Sequence, residues 1–290
     1  MLEVNNYGLH TEPILGENST PNKMISETEY KKISKGYDYI LVRLRHEEKY
    51  DLVVENYKEF LQTLNDLKPL PLDLVNPKKP VFIYQRVHLE INRRVINLLA
   101  TSRLYFEYFY GTSEERTKAD LKEDIEKIKG IFIKDNPGSD SVDKFNFVCE
   151  LRHTSQHYDC PNQTWNIKLG SNPKDNRVKI GVTKNFLLGH KRFDQAILEK
   201  MPEQIWIDEY LAGFIEIFSY IHFKLRDEKN KVSLEFKSLL NQTFNSFNPG
   251  VTQAGVFLFK ENNHCWVFDR YLSKDILNYL SLLESKNLTD

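Results

Sequence analysis

The stretch VFIYQRVHLEINRRVINLLATSRLYFEYFY, residues 81–110, constrains the fold more than any other. Val87, Ile91, Val95, Leu98, Leu99, Leu104, Phe106 and Phe109 form a wide apolar stripe at helical period. Asn92, Arg93, Arg94, Asn97 and Ser102 are set along it. A continuous helix of this length is about 45 Å long, and its apolar side must be covered by other helices to be stable in water. The chain is therefore expected to build a helical bundle.

The rest of the pattern agrees. Residues 1–28 carry Pro13, Gly16 and Pro21 with little periodicity and read as an irregular arm. From about Glu29 to Leu67, apolar residues from Ile40 to Leu64 return at helical spacing. KPLPLDLVNPKKP (68–80) holds four prolines and reads as an extended connector. TSEERTKADLKEDIEKIKGIF (112–132) is a mixed-charge helix that Thr112 or Ser113 could cap. A fourth helix is expected from about Val142 to Tyr158. TWNIKLG and NRVKIGV read as a β-hairpin, an insertion over 162–183. Helices resume at about Lys184, with strong patterning in 204–225. GVFLFKENNHCWVF (255–268) reads as two strands, and Ser273 to Leu283 as a last helix. The expected fold class is mainly α, an up-and-down helical bundle with small β-hairpin elements in the C-terminal half. The segments divide at 1–80, 81–225 and 226–290.

Charge and composition exclude several classes. The formal net charge of −1 means that nucleic-acid binding would need a local basic patch. No apolar run reaches the roughly 18–20 residues of a membrane span. The first twenty residues lack a basic region followed by an apolar one. Three cysteines, Cys149, Cys160 and Cys265, suit free thiols in a reducing compartment. A cytoplasmic protein is expected.

The chemistry concentrates in CELRHTSQHYDCP, residues 149–161. Three readings compete. His153 and His157 stand four apart on a helix, with Cys160 near and Glu150 one turn earlier, as in part of a zinc site; the glutamate does not lie between the histidines as in HExxH. Alternatively, the six polar residues Arg152–His157 are simply the solvated end of a helix. In the third reading, arginine grips phosphate by its planar fork and histidine moves protons near neutral pH.

RHTSQH resembles the R-(N/H/Q/D)-x-x-x-H signature of HEPN-domain ribonucleases, with Arg152, His153 and His157 in the motif positions. The helix at 81–110 lies upstream where that family has its opening helix, so the resemblance covers about 81–225. It implies a HEPN-like bundle and metal-independent RNA cleavage by the 2′-hydroxyl, with no cofactor. Arg152 would stabilise the phosphorane and His157 would transfer the proton. His153, Gln156, Glu150 and Asn97 would support them. Residues five apart differ by roughly 140° around a helix, and the family joins two motifs across a two-fold axis, so a homodimer is implied. Toxin or anti-phage roles, with a restraining protein or RNA, are also implied. A HEPN bundle that binds RNA without cleaving it is the alternative.

For RNA beyond the cleft, residues 168–192 hold Lys168, Lys174, Arg177, Lys179, Lys184, Lys191 and Arg192 against Asp175 alone. Trp165 and His190 flank this stretch as stacking candidates. A solvated, lysine-rich hairpin is the competing reading.

Overall fold

A computed structural model of the chain describes residues 6–11, 21–68, 81–111, 118–157, 164–168, 176–189, 193–228, 230–247, 255–262 and 265–289. Helix predominates, as α1 (Glu27–Leu67), α2 (Val81–Gly111), α3 (Lys118–Asp135), α4 (Ser141–His157), the short α5 (Lys184–Leu188) and α6 (Gln195–Glu199), α7 (Ile207–Glu228), α8 (Asn230–Asn245) and α9 (Asp275–Thr289). The strands are β1 (Tyr7–His10), β2 (Lys23–Ile25), β3 (Thr164–Lys168), β4 (Arg177–Thr183), β5 (Gln204–Trp206), β6 (Gly255–Asn262) and β7 (Cys265–Ser273). The chain forms two compact units: Lys49–Leu225, and Met1–Glu48 with Arg226–Asp290. Because α1 is one unbroken helix that contributes to both, the first boundary falls inside it, not at the proline-rich connector after it.

In the Lys49–Leu225 unit, α7 is the central element. Its Leu211, Phe214, Ile217, Phe218, Ile221 and Leu225 are at most 1% exposed. Phe218 lies 4.8 Å from Tyr105 and 5.4 Å from Phe106, both on α2, and 6.0 Å from Tyr50 on α1. One turn away, Phe214 stacks on Phe145 of α4 at 5.2 Å. These centroid distances fall in the range where aromatic pairs attract beyond their area burial. His222 stacks on Tyr50 at 3.8 Å, and its Nδ1 lies 3.0 Å from the Tyr105 hydroxyl, so the buried imidazole is built into the core.

The three-stranded sheet β3-β4-β5 is antiparallel and belongs to the same core. Val178, Ile180 and Val182 of β4 and Ile205 of β5 are buried, and the alternate positions face outward. The hairpin expected at 162–183 is therefore a structural part of the unit, with β5 added. Residues 204–206, expected to open a helix, instead continue the sheet: Val182 pairs with Ile205 and Gly181 with Trp206.

The second unit has the antiparallel order β2-β1-β6-β7. The N-terminal segment expected to be irregular supplies β1 and β2, so β structure is not confined to the C-terminal half. Pairing supplies the reason: Tyr7–His10 is ordered against Lys260–Phe257, which are distant in sequence. Leu9, Leu258 and Leu272 meet Ile40, Leu240, Phe244 and Leu280 in its core. Beside them, Arg43 (α1) bonds Glu284 Oε1 at 3.3 Å, the Arg226 carbonyl at 3.1 Å and Asn230 Oδ1 at 3.2 Å. Glu47, 1% exposed, faces Arg43 at 3.9 Å and Arg226 at 3.8 Å. This buried network ties α1, α7, α8 and α9.

The aromatic junction gives a direct test of the first unit. Phe218→Ala is expected to destabilise the protein by about 3–5 kcal/mol, the usual cost of emptying a packed aromatic site. Urea unfolding would read it as a lower midpoint at unchanged slope; an unchanged midpoint would contradict the central place of Phe218.

Candidate functional site

Helix α4 carries the motif. Its core side follows from the sequence: Phe145, Phe147, Val148 and Leu151 are all at most 4% exposed. The next position on that stripe is Thr154, which is 3% exposed and has a hydroxyl without a hydrogen-bond partner among the described residues. The helix thus carries its buried side into the polar run. Ser155 donates its hydroxyl to the carbonyls of Leu151 at 2.9 Å and Arg152 at 3.2 Å, so it serves the helix backbone.

Arg152 is half-buried, and its Nε is buried without an acceptor. No ion pair or other hydrogen bond holds its guanidinium among the described residues. His153 and Glu150 beside it are half-buried. Gln156 and His157 complete α4, but their side chains lie outside the described residues, as does Cys160. The helix is regular to His157, which keeps positions 152 and 157 about 140° apart around its axis.

The thiol of Cys149 lies among charged neighbours. Burial pushes it up to about 11, against the opposing pull of Arg152 and Lys129 and with a smaller upward push from Glu150 and Glu126. Lys129 itself is buried; it bonds Asn146 Oδ1 at 3.0 Å and pairs with Glu126 at 2.6 Å. A thiol that resists ionisation is a core group rather than a nucleophile.

Helix α2 packs against α4. Asn97 is exposed and bonds no motif residue among the described ones, so the structure does not join it to Arg152. Arg93 pairs with Glu90 at 2.7 Å, and Arg94 with Glu90 and Glu59. Among its described residues, two polar side chains of this helix are buried: Asn92, whose amide donates to the His88 carbonyl at 3.2 Å, and Ser102, whose hydroxyl donates to the Leu99 carbonyl at 2.9 Å.

The basic stretch divides. Lys168 and Arg177 pair in register across β3 and β4 and are exposed without an ion pair among the described residues. Lys179 pairs with Glu209 of α7. Lys184 donates to the carbonyls of Met201 at 3.2 Å and Glu199 at 3.4 Å. Lys174, His190, Lys191 and Arg192 lie outside the described residues, and so does the side chain of Trp165, whose register partner is Ile180. Sequence reasoning missed Trp206. It lines a recess of about 270 Å³ with Asn166, Lys168, Arg177 and Lys179. Lys179 Nζ sits 5.4 Å from the Trp206 ring centroid. The signal that could have found it is the Gln204–Ile205–Trp206 alternation, whose middle residue is buried.

Among the described residues, no group of three or more His, Cys, Asp or Glu side chains could hold a metal ion. No described helix is long and apolar enough to cross a membrane. In comparisons with known proteins, no family model, no curated protein and no solved structure matches the chain.

The thiol offers a pH test. Because its pKa is raised, only roughly one Cys149 in a thousand is ionised at about pH 8, and the fraction grows as pH rises toward 11. Alkylation resolved by mass spectrometry should spare Cys149 in the native protein at about pH 8 and modify it in urea. Equal labelling in both would contradict the half-buried placement and the raised thiol pKa.

Proposed function

We propose that the protein is a metal-independent endoribonuclease whose site is assembled from α4 of two protomers. The observation that carries this reading is Arg152: a permanent cation with a buried Nε that nothing in the described chain satisfies. The half-buried guanidinium has no ion pair among the described residues, and a phosphodiester oxygen is the acceptor that its outer fork fits best. His157, five residues on, is the proton-transfer group. The RNA 2′-hydroxyl attacks the phosphorus, the 5′-oxygen leaves, and the products are a 2′,3′-cyclic phosphate and a 5′-hydroxyl. Arg152 holds the two non-bridging oxygens as charge develops on them. His153, Gln156 and Glu150 orient the pair.

The two-protomer site answers the separation of positions 152 and 157 around one helix. Exposed apolar residues on α2 support it: Leu89, Ile96 and Leu104 are 64%, 37% and 42% exposed. They alternate with the pairs Arg93–Glu90 and Arg103–Glu107, whose mixed charges suit a self-complementary face. An unrestrained ribonuclease would degrade the RNA of its own cell, so the proposal includes a restraining protein or RNA and a role as a toxin or anti-phage effector. A second reading, RNA binding without cleavage, is favoured by the basic recess around Trp206.

Incubation with mixed cellular RNA in EDTA separates the two. Wild-type protein is expected to cleave and leave cyclic phosphates, while Arg152→Ala and His157→Ala each lose about 100-fold or more in rate. Cleavage that survives both substitutions would sink the ribonuclease reading; binding without cleavage by wild type would favour the second.

Ile96→Glu places a charge in the exposed α2 face and is expected to convert dimer to monomer in sedimentation, with cleavage falling in parallel. A monomeric variant of full activity would remove the two-protomer site.

A further inference from the structure

We infer that the outer face of the β3-β4-β5 sheet is a single-nucleotide clamp for a single-stranded RNA, with Trp206 as its stacking surface; the choice of RNA rests on the reading above. The alternation that buries Val178, Ile180, Val182 and Ile205 sends Asn166, Lys168, Arg177, Lys179 and Trp206 to the other side. This face is polar and cationic except for one large aromatic ring.

That ring lies close over the sheet because its register partner is glycine. A Cβ at Gly181 would come within 2.5 Å of Gln204 Nε2, 2.6 Å of the Ile205 carbonyl and 3.1 Å of Trp206 Cε3. Lys179 is paired with Glu209 and its Nζ lies over the ring, so a stacking base takes its place there, which leaves Lys168 and Arg177 as the charges of this face without an ion pair among the described residues. A volume of about 270 Å³ is below the range of about 300–1,000 Å³ typical of small-molecule pockets. It suits one nucleotide of a strand that continues across the surface. The parts divide the work: Trp206 takes the base face, Lys168 and Arg177 take the flanking phosphates, and the Asn166 amide offers both donor and acceptor to a base edge. Such a clamp would bind every base, with preference only where Asn166 reads an edge. Only six residues separate His157 from Thr164, which keeps the start of β3 within about 25 Å of the motif. One short strand could occupy both places.

The test uses the full-length protein and 2′-O-methyl oligoadenylate and oligouridylate, which lack the attacking hydroxyl and so report binding alone. Polyphosphate serves as a base-free polyanion. By fluorescence anisotropy, Trp206→Ala should weaken oligonucleotide binding about 5- to 100-fold, leave polyphosphate binding nearly unchanged, and be rescued largely by Trp206→Phe. Lys168→Ala and Arg177→Ala should each lower the slope of log affinity against log salt by about 0.7, the release expected for one phosphate on a single strand. Unfolding curves check that each variant is folded. Oligonucleotide affinity unchanged in folded Trp206→Ala, or polyphosphate affinity falling equally, would overturn the clamp. Its fate is separable from that of the ribonuclease. If Arg152→Ala abolishes cleavage while Trp206→Ala binds normally, only the clamp falls. If wild type never cleaves but binds through Trp206, the clamp stands and the ribonuclease falls.

Discussion

The Lys49–Leu225 unit depends on the aromatic contacts around Phe218. Helix propensity alone cannot hold four long helices together, since an amphipathic helix gains most of its stability from tertiary packing. Phe218 and Phe214, one turn apart on α7, engage Tyr50 of α1, Tyr105 and Phe106 of α2, and Phe145 of α4. The contacts that Phe218 and Phe214 make with these four rings are stacked or edge-on, so they specify orientation as well as burial. Consequently the motif on α4 is oriented through residues that carry no chemistry themselves.

Legibility in the sequence followed how cleanly each element separates its two sides. Ile91, Val95, Leu98 and Leu99 on α2 are all at most 2% exposed, and that helix was visible from its pattern. Helix α8 was not. Its buried side joins Leu240 and Phe244 to Ser233 and Thr243, while Val232 and Leu234 are 41% and 64% exposed. Thr243 makes this tolerable by donating its hydroxyl to the Leu239 carbonyl at 2.9 Å. The β1 and β2 strands were illegible for another reason: β1, four residues long, takes its order from the β6 ladder, a contact no local window contains, and the three residues of β2 in turn pair with β1.

The site was legible as residue types and much less as geometry. Lys168, Arg177, Lys179 and Lys184 look equivalent in a list of cations, yet among the described residues the first two have no ion pair, while Glu209 and two backbone carbonyls hold the others. Trp206 was hidden because Gln204–Trp206 runs directly into α7, and an apolar residue beside a helix reads as part of it. In the motif, the polar run Arg152–His157 suggested a helix end leaving the core. Thr154 shows the reverse, since it stays buried with a hydroxyl that no described residue bonds. Burial of the Arg152 Nε follows from that same depth, and no spacing rule would have revealed it.

The first turn of α7 links the two candidate surfaces mechanically. Asp208 Oδ1 accepts the Ile180 N–H at 3.1 Å, taking the place of a strand partner where β5 ends. Burial raises its pKa against the pull of that hydrogen bond, so the carboxylate is kept at an electrostatic cost for its structural use. The next residue, Glu209, holds Lys179 beside Trp206. Tyr210 follows and packs on Phe147 of α4 at 4.7 Å. Three consecutive side chains therefore fix strand β4, the recess and the motif helix to one rigid turn. Because the fixing groups are a hydrogen bond, an ion pair and an aromatic contact, they respond differently to salt. Screening weakens the exposed Glu209–Lys179 pair most and the aromatic contact least. High salt should then release Lys179 while α4 and β4 keep their places, which makes the recess, rather than the motif, the salt-sensitive half of this surface.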